Sequence, residues 1–145
     1  MPRRPRSDLP PFAAYHVTSR GVAQQEIFGD DGDRTYFVSL LRRATRRWRW
    51  QLLAYCLMGN HFHLVVTTEL DRLSRGMHYV NFRYAEGFNA RYRRVGHLFQ
   101  GRFAAYVIEP DEHFVNACDY VLRNAERAGI ADWPWRGGEM LAELT

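Results

Sequence analysis

YCLMGNHFHLVVTT, Tyr55–Thr68, is the stretch whose reading decides the fold. Met58-Gly59-Asn60 reads as a tight turn between two apolar runs, so the stretch is expected to be two strands meeting in a hairpin. Side chains alternate along a strand, which puts His61 and His63 on one face and Phe62, Leu64 and Val66 on the other. The apolar face would hold the strand in the core. Two imidazoles at i, i+2 can converge on a divalent cation. Taken alone, such a pair is more often a sheet-edge feature than a site. The rest of the chain weighs on that choice.

Upstream, Ala13–Arg20 alternates, with Tyr15, Val17 and Ser19 on one side and His16, Thr18 and Arg20 on the other, and is expected to be a first strand. Asp30, Asp31 and Asp33 precede a helix expected from about Arg34 to Arg49, whose buried stripe is Phe37, Leu40, Leu41, Ala44 and Trp48. The strand pair is then Trp50–Met58 and His61–Thr68. Downstream, Thr68 and Asp71 have the spacing of a capping box for a second helix with the stripe Leu73, Met77, Val80, Tyr84 and Phe88. It ends in the basic run Arg91–Arg94, Gly96 breaks the pattern, and Arg102–Glu109 reads as a fourth strand. Pro110, with Asp111 and Glu112 beside it, fits the first turn of a third helix. The tail after Gly129 reads as irregular before a last short turn. The order implies an α+β domain, an antiparallel sheet with helices packed on it.

At 145 residues the chain is expected to form one domain, 1–145, with the proline- and arginine-rich residues 1–12 as a mobile arm. It has no run of about eighteen apolar residues and no hydrophobic leader, so the expectation is a soluble, cytoplasmic protein with no membrane partner. Cys56 and Cys118 lie far apart and outside any metal-type cluster, which suits free thiols. The net charge is +4, and all twenty basic residues are arginine. Their planar forks pair bidentately with phosphate and stack on bases. They gather at Arg3, Arg4 and Arg6, at Arg42, Arg43, Arg46, Arg47 and Arg49, and at Arg91, Arg93 and Arg94. With aromatics at 14% among them, a nucleic-acid partner is the leading expectation, although a solvated helix face explains the middle cluster almost as well.

The segment Glu112–Arg127 supplies the other half of the chemistry. At about 100° per residue, Phe114, Cys118, Val121, Leu122 and Ala125 cluster on one side. His113, Asn116, Tyr120, Asn124 and Arg127 form a second stripe, so Tyr120 and Asn124 lie one turn apart, off the core face. A phenol with a pKa of about 10 attacks at neutral pH only when its target is strongly polarised. A divalent ion does that as a Lewis acid on a phosphoryl oxygen. Two imidazoles and the Asn124 carbonyl would give three ligands, and the absence of thiolate suits Mg²⁺ or Mn²⁺ better than structural Zn²⁺.

These segments resemble the HUH single-tyrosine transposases, most closely the REP-associated tyrosine transposase branch. YHVTSRG at 15–21 with IF at 27–28 is similar to the family's opening strand and loop. YCLMGNHFHLVV at 55–66 resembles its HUH strand, GHLFQGRF at 96–103 a further segment, and YVLRNAERAGI at 120–130 its tyrosine helix. The resemblance implies a ferredoxin-like (RRM-like) fold that cuts and rejoins single-stranded DNA beside a hairpin. Tyr120 would be the nucleophile, leaving a 5′-phosphotyrosine. His61 and His63 would hold the metal, with Asn124 as third ligand. The expected DNA contacts are Arg20, Arg91, Arg93, Arg94, Gln100 and Arg102. The family's Asn-Pro is Asn124-Ala125 here, and the basic residue that follows Gly-Arg-Phe is replaced by Ala104. Any C-terminal specificity element is expected to be absent or very short. Relatives include homodimers in which the tyrosine helix crosses to the partner, and others in which it serves its own subunit.

The leading expectation is therefore a metal-dependent single-strand DNA endonuclease and strand transferase. One alternative is a non-catalytic module of the same fold that binds hairpin DNA or RNA through sheet aromatics and arginines. The other is a metallohydrolase with Tyr120 as a bystander and water as nucleophile.

Overall fold

The hairpin forms where the apolar alternation places it. In the computed structural model, which describes residues 9, 12–109 and 112–141 with the side chains of 112 and 113 excepted, β2 (Gln51–Leu57) and β3 (His61–Glu69) are joined by that turn. The turn closes with the Met58 N–H donating to the His61 carbonyl at 2.9 Å. Phe62, Leu64 and Val66 lie in one core cluster, while Val65 belongs to a second cluster on the other face.

The elements run β1 (Phe12–Arg20), α1 (Asp31–Arg47), β2, β3, α2 (Leu70–Arg91), β4 (Ala104–Ile108), α3 (Glu112–Leu122), α4 (Asn124–Arg127) and β5 (Arg136–Gly137). The sheet order is β4-β1-β3-β2-β5, every pair antiparallel, so β1 and β3 are central. The first four strands and two helices thus have the βαββαβ order of a ferredoxin-like fold. Tyr15 and Val17 of β1 join Phe62, Leu64 and Val66 in packing against Phe37, Leu40 and Leu41 of α1 and Leu73, Met77, Val80 and Tyr84 of α2. On the opposite face, Leu53, Cys56, Val65 and Ile108 pack against Cys118, Val121, Leu122 and Ala125. A bulge between Leu52 and Ala54 interrupts the alternation of β2, so that Leu53 and Ala54 both join this second cluster.

Local chemistry accounts for several boundaries. Asp30 caps α1 by accepting from the Asp33 N–H at 3.1 Å, Asp31 and Asp33 lie in the first turn, and Arg46 and Arg47 lie in the last. That cap starts the helix three residues before the expected Arg34. The capping box expected from Thr68 and Asp71 does not form. Thr68 is still in β3, paired with Ala13, and α2 begins after Glu69 without a side-chain cap. The fourth strand is shorter than Arg102–Glu109, because residues 94–103 fold back as a loop against the end of β1. There the Val22 N–H reaches the Leu98 carbonyl and the Gln100 N–H the Arg20 carbonyl, each at 2.8 Å. The single helix expected over Glu112–Arg127 is interrupted at Arg123 (φ −99°, ψ 11°), giving α3 and α4. The tail holds a two-residue strand that pairs with Tyr55 and Cys56. Leu9 is buried and Phe12 opens β1, so neither belongs to a free arm; the rest of the expected arm, residues 1–8, 10 and 11, lies outside the described residues, as do Pro110 and Asp111.

Phe62 ties the two layers together. It is fully buried, 4.8 Å from the Phe37 ring and 6.1 Å from that of Phe99. Phe62→Ala is expected to cost about 3–5 kcal/mol, a large part of a typical domain's stability. Denaturant unfolding measures this; a loss below about 1 kcal/mol would contradict the packing described.

Candidate active site

On the face covered by α3, β3 presents His61 and His63. Their neighbour β1 runs in the register Thr18 opposite His63 and Arg20 opposite His61. β1 therefore presents His16, Thr18 and Arg20 to the same face. The imidazoles of His61 and His63 stand 5.0 Å apart, centroid to centroid. Docking of Cys118, Val121 and Leu122 brings Tyr120 over them, its ring 6.0 Å from His63 and 6.1 Å from His16. Tyr120 keeps 43% of its surface exposed. After the break at Arg123, Asn124 opens α4 and its carboxamide hydrogen-bonds His61. The fold thus brings His61, His63, Tyr120 and Asn124 together. The side chain of His113, from the same stripe, lies outside the described residues.

Each imidazole has a partner behind it. His61 Nδ1 is 2.7 Å from Asn60 Oδ1, and His63 Nδ1 is 2.9 Å from His16 Nε2. Burial lowers the pKa of His61, the Arg20 charge adds to this, and the Asn124 bond opposes it. Burial, then the charges of His16, His61 and Arg20, push His63 down to about 3. Burial also lowers His16. All three shifts favour the neutral ring, the state a metal ligand requires. The described residues hold no group of three His, Cys, Asp or Glu side chains that could bind a metal. The donors that could hold one are two neutral imidazoles and one carboxamide oxygen, a set that suits a hard-to-borderline divalent ion keeping water or phosphate in its other positions.

The C-terminal segment braces the tyrosine helix. Arg136 Nη1 donates to the Leu122 carbonyl at 3.0 Å, at the end of α3. Trp133 Nε1 donates to the Leu57 carbonyl at 2.8 Å, and the Leu57 N–H donates to the Trp135 carbonyl at 2.9 Å. Arg127 donates to the Tyr120 carbonyl at 2.7 Å and lays its guanidinium 4.5 Å from the centre of the Tyr120 ring. Backbone and ring of Tyr120 are thus both held from one side.

The residues expected to touch DNA separate in the structure. Arg20 stands opposite His61 on the histidine face, and the Gln100 N–H donates to its carbonyl at 2.8 Å. Arg102 lines a groove of about 880 Å³ between α2 and the 96–103 loop, with Asn81, Phe82 and Asn89. Phe82, which the α2 stripe gave no reason to single out, is 58% exposed and lies nearly parallel to His78 (15°). Arg91 is engaged with Asp30 and Asp33 at 2.6 Å each. Arg94 is tied to Asn89, Gln25 and the His97 carbonyl, fixing the loop. Arg93 is exposed. Of the basic run 91–94, Arg93 is thus the arginine not built into these contacts.

His16 is the residue of this cluster that sequence reasoning missed. The signal was present, since alternation puts it on the same side as Thr18 and Arg20. Recognising it needed the β1–β3 register.

A family model described as IS200-like transposase matches residues 12–124. No curated protein matches the chain. Among solved structures, a REP-associated tyrosine transposase bound to a REP hairpin is similar at 15% identity, with a TM-score of 0.72 over 99% of this chain and 84% of that one. A candidate transposase of Deinococcus radiodurans R1 is similar at 14% identity, with a TM-score of 0.54 over 86% of this chain and 97% of that one. At such identities the likeness is one of fold. Among the described residues, no helix is long and apolar enough to cross a membrane.

Proposed function

The chain belongs to the IS200-like transposase family, and from that premise we propose that it cuts and rejoins single-stranded DNA beside a hairpin, with Tyr120 as nucleophile. One observation carries the reading. Side chains from β3, α3 and α4, remote in sequence, meet on one sheet face as His61, His63, Tyr120 and Asn124.

In this reading Tyr120 forms a bond from its phenolic oxygen to phosphorus while the bond to the 3′-oxygen breaks. The DNA is left as a 5′-phosphotyrosine and a free 3′-hydroxyl, and attack by a 3′-hydroxyl reverses the step without external energy. His61, His63 and Asn124 would hold Mg²⁺ or Mn²⁺, which when bound supplies polarisation of the phosphoryl oxygen. Arg127 holds the Tyr120 ring and backbone while the strand is attached. Arg20, Arg93, Gln100 and Arg102 contact the DNA, and Phe82 offers a face on which an unpaired base can stack, an interaction of about 1–3 kcal/mol. The bound hairpin of the REP-associated relative supports the choice of substrate.

The test is a labelled single strand carrying a hairpin, incubated with the protein and Mn²⁺ or Mg²⁺. Cleavage at one position beside the stem is expected, and excess chelator should remove it. Cleavage unaffected by chelator, or none on any hairpin-bearing strand, would count against the proposal.

A further inference from the structure

His16 has no part in the reaction as written, yet it is built into the site. Its strand position sets it diagonally across from His63, because the register pairs Thr18 with His63 and His16 with Val65. Diagonal neighbours on one sheet face are within reach of long or aromatic side chains. The His16 Nε2 to His63 Nδ1 distance of 2.9 Å is that of a hydrogen bond. Between two neutral imidazoles one nitrogen must donate and the other accept, so His63 Nδ1 is committed and its Nε2 is the nitrogen left for a ligand. Thr18, directly opposite His63, cannot take this place, since its hydroxyl donates to the Phe62 carbonyl at 2.8 Å. Asn60 does the same for His61 as His16 does for His63. Tyr106 and Tyr120 flank His16, each with its ring centre 6.1 Å away.

We infer that His16 is a positioning residue that orients His63 towards the divalent ion, acting from behind the ligand. The inference rests on the metal reading of His61 and His63. Outer partners of this kind usually donate to, or accept from, the ring nitrogen that does not touch the metal, and losing one weakens metal binding roughly 10–100-fold. A histidine in this place also tells the site from a bare His-x-His pair: the sheet supplies the partner across strands.

The experiment is a Mn²⁺ titration of the purified protein without DNA, followed by the electron paramagnetic resonance signal of free aqueous Mn²⁺. His16→Phe keeps a ring between the tyrosines and removes both nitrogens, and His16→Gln keeps a hydrogen-bonding end. Thermal melts of the metal-free proteins check that each is folded. A drop in affinity of roughly 10–100-fold for His16→Phe, partly recovered in His16→Gln, is expected. Wild-type affinity in a folded His16→Phe would overturn the inference. Loss of binding as complete as in His63→Ala would make His16 a direct ligand and overturn it too. Should the wild type itself bind no Mn²⁺, the metal reading of His61 and His63 fails, and the role of His16 with it.

Discussion

Tyr120→Phe is expected to form no covalent protein–DNA adduct while keeping the fold, the metal and the DNA. The phenol belongs to the stripe of α3 turned away from Cys118, Val121 and Leu122, and Tyr120 is 43% exposed. Removing one hydroxyl there takes little from the core, and ordinary surface changes alter stability by only about 0.5 kcal/mol. The ring contacts with His16, His63 and Arg127 survive in phenylalanine. What is lost is the only atom of that side chain able to attack phosphorus. A denaturing gel of both proteins with labelled hairpin DNA and Mn²⁺ reads the difference. An adduct in the variant would move the nucleophile to another residue.

His63→Ala is expected to abolish cleavage with an equally large effect, for a different reason. The proposed site loses one of two imidazoles, and His16 loses its partner at 2.9 Å. An unsatisfied polar group costs about 1–3 kcal/mol when fully buried, and His16 is half-buried, so at most a modest loss of stability accompanies the loss of activity. Hairpin affinity measured by gel shift in chelator should change little, because phosphate and shape contacts position DNA and Arg20, Gln100 and Arg102 remain. Persistent cleavage would remove His63 from the metal site. Loss of both cleavage and hairpin affinity in a folded variant would make His63 a DNA-binding residue instead.

Much of this is legible in the sequence, and what is legible is periodic. The alternation in His61–Val66 and Tyr15–Arg20 placed each side chain on the correct sheet face. The α2 stripe Leu73, Met77, Val80, Tyr84 and Phe88 is buried throughout. Periodicity is a property of neighbours, so it fails where the deciding partner is remote. Thr68 looks like a helix cap until Ala13 extends the strand beneath it. Nothing near Arg123 foretells the break between α3 and α4; Arg136, thirteen residues on, takes up the Leu122 carbonyl there. A two-residue strand such as β5 is too short to carry a pattern. Arg91 and Arg94 read as free cations, and only the folded chain brings Asp30, Asp33 and Gln25 to them. The candidate site divides the same way. His61, His63, Tyr120 and Asn124 could be named from spacing and family resemblance, whereas His16 required knowing which residues β1 and β3 set side by side.

The most direct measurement is mapping the attachment point on the wild-type protein. Incubation with a hairpin-bearing single strand and Mn²⁺, then denaturation, proteolysis and mass spectrometry, should find one peptide carrying a nucleotide 5′-phosphate on Tyr120, with the released strand ending in a 3′-hydroxyl. Cleaved DNA with no modified peptide would make water the nucleophile and Tyr120 a bystander, contradicting the account.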